Sequence, residues 1–110
     1  MRIRREEEQL NSEDIKLVAG CSDALGHPAR VEIFQFIYSE NLARRKVCNK
    51  DLVERFGLAQ STVSQHVSKL SASGLLEVQE QGTRNYYYVN IGLLGRYVNA
   101  IRKLSLPPSN

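Results

Sequence analysis

The chain has 110 residues, 42% hydrophobic and 25% charged, with a formal net charge of +3 and a pI near 9.0. That length accommodates one domain with a modest core, so a helix face left apolar is expected to meet a second copy. No apolar run approaches the roughly 20 residues of a membrane span, and the opening Met-Arg-Ile-Arg-Arg-Glu-Glu-Glu lacks the apolar centre of a secretory signal, which points to a cytoplasmic protein with no membrane partner.

Residues 1–11 read as a charged N-terminal arm, residues 12–105 as the folded domain and residues 106–110, with Pro107 and Pro108, as a frayed tail. Ser12, Glu13 and Asp14 mark a helix start, with acid set against the helix dipole. Ile15, Val18, Ser22 and Leu25 form its stripe, with Leu17, Cys21 and Ala24 beside it, and Gly26 ends it. Pro28 opens a second helix, because its fixed φ and missing N–H suit a first turn. Val31, Phe34 and Ile37, widened by Ile33 and Phe36, make this helix apolar over much of its circumference and place it at the centre of the core. Residues 39–46 are a polar, basic connector or a short helix end.

Residues 47–76 hold two short helical patterns. Leu52, Val53 and Phe56 repeat at helical spacing until Gly57, which suits a left-handed helix terminus. Ser61 is a candidate cap for the next helix. There Val63, Val67 and Leu70 fall at i, i+4 and i+7, while Thr62, Ser64, Gln65, His66, Ser68 and Lys69 occupy the other face. A helix, a short turn and a second helix with that polar face make a helix-turn-helix, whose second helix lies in the DNA major groove. The alternative is a helical hairpin whose polar face meets water. Residues 41–70 carry six cations (Arg44, Arg45, Lys46, Lys50, Arg55, Lys69) against Asp51 and Glu54. Such a local excess attracts phosphate, although a solvated charged face has the same composition.

Residues 76–81 alternate apolar and polar, Gly82 and Thr83 turn, and Arg84-Asn-Tyr-Tyr-Tyr-Val89 returns rich in strand-forming aromatics. A β-hairpin directly after a recognition helix is a wing. Arg84 is the group to send into an adjacent minor groove, with a phosphate contact or a solvated tip as alternatives. The last helix runs from about residue 92 to 104, and Ile91, Leu94, Val98 and Ile101 step by 3, 4 and 3 along a heptad-like seam. The fold is therefore read as mainly α with a small β-hairpin: a winged helix-turn-helix, dimeric, with the first and last helices at the dimer interface. Packing of the last helix on its own protomer alone is the other possibility.

Three segments in this order resemble the ArsR/SmtB family of small winged-helix regulators. They are Ala24-Leu-Gly-His-Pro-Ala-Arg-Val-Glu-Ile33, then Gln60-Ser-Thr-Val-Ser-Gln-His-Val-Ser-Lys-Leu70 followed by Gly74-Leu-Leu76, then Gly82-Thr-Arg-Asn-Tyr-Tyr-Tyr-Val89. The resemblance covers about residues 15–104. It implies a homodimeric repressor on a roughly palindromic double-stranded DNA operator, released by a signal. It implies a DNA-binding set of Gln60, Ser61, Thr62, Ser64, Gln65, His66, Ser68, Lys69 and Arg84. Gln65 suits bidentate pairing with adenine, and His66 or Lys69 reaches guanine or phosphate.

Many members sense metal through a Cys-x-Cys run followed by Asp-Leu in the third helix. The matching run here is Cys48-Asn-Lys-Asp-Leu52, with Lys50 in place of the second thiolate, which removes a ligand and adds repulsion. A second family site uses Asp and His in the last helix, but residues 91–104 contain no Asp, Glu, His or Cys. Neither a metal nor another cofactor is expected. His27 reads as a capping or packing residue. Cys21 and Cys48 are either inert small hydrophobes or a redox pair, with Arg45, Lys46 and Lys50 around Cys48 favouring its thiolate. Two other classes compete with a DNA-binding regulator. A winged helix used for protein contact would not need Arg84 or a polar recognition face. An enzyme would need a Cys-x-x-Cys, a phosphate loop or a nucleophile–His arrangement, and the sequence has none of them.

Overall fold

The computed structural model describes residues 9–107, so most of the charged arm (residues 1–8) and residues 108–110 lie outside the described residues. Five helices and one hairpin follow in the order α1 (Ser12–Ala24), α2 (Pro28–Leu42), α3 (Asn49–Phe56), α4 (Gln60–Ala72), β1 (Leu76–Gln81), β2 (Arg84–Val89) and α5 (Ile91–Leu104).

Helix α1 begins at Ser12, but its cap is Asn11. The Asn11 side chain accepts from the Asp14 N–H at 2.8 Å and the Asp14 carboxylate accepts from the Asn11 N–H at 3.1 Å, so two otherwise orphaned donors are satisfied reciprocally. The buried residues of α1 are Cys21 and Ala24, with Leu17 partly buried on the same face, whereas Ile15, on the stripe beside them, is 57% exposed. The apolar arc of α1 is wider than its own protomer covers, and only one edge of it reaches the core.

The corner between α1 and α2 is held from both sides. His27 caps α2 by accepting the Ala29 N–H on Nδ1 at 3.0 Å, with Pro28 in the first turn. Arg30 reaches back to the C-terminal carbonyls of α1, donating to Ala24 O at 2.6 Å and Asp23 O at 3.3 Å. These contacts give His27, Pro28 and Arg30 each a part in fixing the corner. Ile33, Phe34 and Ile37 are buried, and Val31 is exposed. The inward face of α2 is thus rotated away from Val31 toward Ile33, because α2 packs on α4 and β2.

Leu52 anchors α3 in the core, and Gly57 ends the helix at φ +65° with its N–H on Val53 O, as its position predicts. Helix α4 starts one residue before the expected cap. Its N-cap is Ala59, with no side-chain cap bond, and Ser61 lies inside the first turn. Val63, Val67 and Leu70 are all buried, the inward stripe that their spacing implies.

The hairpin pairs Leu76 with Val89 through Gln81 with Arg84, leaving Gly82 and Thr83 as a two-residue loop with Gly82 at φ +66°. The hairpin is stitched to the helices. Tyr87 N–H donates to Val47 O at 2.9 Å, Cys48 bridges Tyr86, and the Asn41 side chain accepts from Val89 N–H at 2.9 Å. Helix α5 is capped by Asn90 and lies along α1. Tyr97 bonds Ser22 at 2.9 Å, and the buried Lys103 ammonium meets the Asp14 carboxylate at 3.1 Å. Asp14 is held below the usual carboxylate range, first by the Asn11 backbone bond and then by Lys103. On the outward side, Ile91, Val98, Ile101 and Leu104 stay exposed, and Ile15 of α1 adds to the exposed apolar surface.

Candidate nucleic-acid interface

The burial of Val63, Val67 and Leu70 fixes how α4 is rotated. It turns Gln60, Ser61, Ser64, Gln65, Ser68 and Lys69 to the exposed side and leaves Thr62 and His66 half-buried at its margin. The exposed set carries hydroxyls, two amides and one ammonium, and no acid. Those groups suit contacts to phosphate oxygens and base edges.

His66 departs from the sequence expectation of a fully presented reader. Its ring lies 4.9 Å from that of His27, centroid to centroid, at the α1–α2 corner. Burial first, then the neighbouring His27 and Arg30, lower its pKa below the usual histidine value. His66 therefore links the recognition helix to the cap of α2 and favours a neutral imidazole.

Arg84 occupies the first position of β2 and is exposed, but its guanidinium leans inward. Nη1 stands 4.0 Å from Cys48 Sγ at the N-cap of α3. The cations expected around Cys48 are directed elsewhere. Arg45 pairs with Glu40, Lys46 donates to Gln81 at 2.6 Å and lies over the Tyr86 ring, and Lys50 stands 4.0 Å from Glu54. The cation that reaches the sulfur comes from the wing. Cys21 is 1% exposed in the core, and burial pushes its thiol pKa up, which disfavours the reactive thiolate. Cys48 is also buried.

Between the starts of α3 and α4 and the hairpin loop lies an open groove of about 440 Å³. It brings Gln60, Ser64 and Arg84 together with Asn49, Lys50 and Thr83, which are absent from the DNA-contact set read from sequence. The missing signal was long-range: the pairing of residues 47–48 with β2 decides that the hairpin folds over α3. Among the described residues, no three His, Cys, Asp or Glu side chains gather where they could hold a metal ion. No helix among the described residues is long and apolar enough to cross a membrane.

Comparisons with known proteins agree with this architecture. The sequence profile described as "Bacterial regulatory protein, arsR family" matches residues 27–78. The chain is 33% identical over 75 residues to nodulation protein NolR of Rhizobium meliloti, covering 68% of this chain but only 57% of that protein. Its fold is similar to that of an ArsR-like transcriptional regulator from Rhodococcus sp. RHA1, with a TM-score of 0.71 at 20% identity, over 84% of this chain and 82% of that one. It is also similar to a homodimeric winged helix-turn-helix DNA-binding domain from Mycobacterium bovis, with a TM-score of 0.64 at 20% identity, over 94% and 88% of the two chains.

Proposed function

Because the chain belongs to the arsR family of bacterial regulatory proteins, we propose that it is a sequence-specific DNA-binding transcriptional regulator acting as a homodimer. The observation that carries this reading is the division of α4. Three buried apolar residues hold one side in the core, and an acid-free row of Ser61, Ser64, Gln65, Ser68 and Lys69 faces out beside a wing. A helix so mounted enters the major groove by its N-terminal residues, where Gln65 suits adenine and Ser61, Ser64 and Lys69 suit phosphate or base edges.

The second support is the apolar surface on α1 and α5. Ile15, Ile91, Val98, Ile101 and Leu104 are exposed in the single chain, and a second copy is the simplest cover for such a surface. Two copies would set two α4 helices against half-sites about one DNA turn apart, matching a palindromic operator. Repression follows if the operator overlaps a promoter. The releasing signal acts elsewhere than a thiolate metal site in α3, since Lys50 stands beside Cys48 and Asn49 without a second cysteine.

The test is binding to the DNA upstream of its own coding sequence across several salt concentrations, against a scrambled duplex. A specific complex is expected, with Gln65→Ala relaxing specificity at one base pair per half-site and Lys69→Ala weakening all sequences alike. Equal affinity for both duplexes at every salt concentration would sink the reading.

A further inference from the structure

We propose that the groove between the starts of α3 and α4 and the hairpin loop seats one backbone phosphate of the DNA strand that α4 reads, gripped by Lys50 from one wall and Arg84 from the other. This rests on the DNA-binding reading above and adds a site to it. The two charged groups lining the groove are both cationic, and the rest of its lining is neutral, including Asn49, Gln60, Ser64 and Thr83. A cavity of that composition favours an anion, and its amide and hydroxyl groups donate to phosphate oxygens.

The groove is continuous with the recognition face, because Gln60 and Ser64 belong to both. A strand in contact with the N-terminal turns of α4 must therefore pass its mouth. Neighbouring cations are engaged: Arg45 by Glu40, and Lys46 by Gln81 and Tyr86. Lys50 has only a 4.0 Å approach to Glu54, with both side chains about two-thirds exposed, and an exposed pair at that separation is worth little. Arg84 has the weak acceptor Sγ of Cys48 as its side-chain partner among the described residues, so most of its five N–H donors remain for a ligand. The Cys48 contact places the guanidinium at the groove wall. Arg84 is then a phosphate holder that fixes the register of α4, and the minor-groove role is not needed.

The experiment uses full-length protein and upstream duplexes in which single phosphates are replaced by neutral methylphosphonates. One position per half-site should weaken wild-type binding by about tenfold. At that position Lys50→Gln and Arg84→Gln should each lose part of the sensitivity and the double variant all of it, and Lys50→Arg should keep it. The slope of log K against log salt should fall by about 0.9 in the double variant, as for one shared phosphate, and by less in each single variant. Variants that stay as sensitive as wild type at every position would overturn the proposal, as would a double variant whose slope falls by about 1.8. Failure of the wild type to distinguish upstream from scrambled DNA would instead remove the DNA reading on which the seat depends. Both substituted side chains are exposed, so unchanged circular dichroism is the check on folding.

Discussion

Val98 offers a quantitative test of the α1–α5 surface. It is 59% exposed in the protomer and lies mid-way along the seam from Ile91 to Leu104. Burying its two outer methyl groups from full exposure is worth about 0.8 kcal/mol each. The partner has roughly three-fifths of that surface left to cover, so Val98→Ala removes about 1 kcal/mol per protomer. A two-fold interface presents every residue twice. The loss in the dimer is then about 2 kcal/mol, or about thirtyfold in the dissociation constant. Sedimentation equilibrium over a concentration series measures that shift directly. Val98→Glu should go further and give a monomer at micromolar concentration, since it leaves a carboxylate in an apolar contact. Neither change touches the protomer core, and both should leave the helical circular dichroism spectrum intact. A Val98→Glu protein that remains dimeric would refute the assignment of this seam to the interface.

Four further outcomes rest on the same geometry. His66 has a folded-state pKa below the ordinary 6.5 because burial, His27 and Arg30 disfavour its charged form, so the unfolded chain binds the extra proton first. Its stabilising contribution is present above about pH 6.5 and is lost as pH falls through the lowered folded value; urea midpoints should drop with acidity in this window, and His66→Gln should flatten that dependence. Gly57→Ala should cost about 1–2 kcal/mol, from the positive φ alone, because nothing crowds an added Cβ there. Gly74→Ala should cost more by thermal denaturation, since φ is +88° and the new Cβ would stand 3.0 Å from a Leu93 methyl; equal costs would count against that packing. Asn41→Ala removes the side-chain bonds to Val89 N–H and Tyr87 O and should lower stability by about 1 kcal/mol, with amide exchange in β2 accelerating more than in α4.

Features whose causes are local were legible in the chain. Pro28, Gly57 and the Gly82-Thr83 loop each act through their own backbone conformation, and they stand where their chemistry requires. The Val63, Val67 and Leu70 stripe was legible because α4 has one apolar face. Helices with wider apolar arcs are less readable: periodicity does not say which edge of α1 or α2 meets the core, and Val31, on the apolar face expected at the centre of the core, is exposed. The N-terminus of α4 was misplaced because Ser61 has a capping side chain, while the helix starts from Ala59 without using one. The candidate site was half legible. The polar row on α4 follows from the sequence, but the groove over α3 depends on Arg84 meeting Cys48 across 36 positions. Likewise, the contact of Lys103 with Asp14 is set by the fold, across 89 positions.

On the proposed reading, α4 contacts base edges in the major groove twice, once from each half of a symmetric dimer. Methylation interference on the upstream duplex tests this most directly, because guanine N7 lies in the major groove. The expected pattern is two tracts of interference centred about one helical turn apart, with Gln65→Ala altering the base preference within each tract. Interference confined to a single tract, or none at guanine N7 while the protein still binds, would rule out major-groove reading by a symmetric dimer.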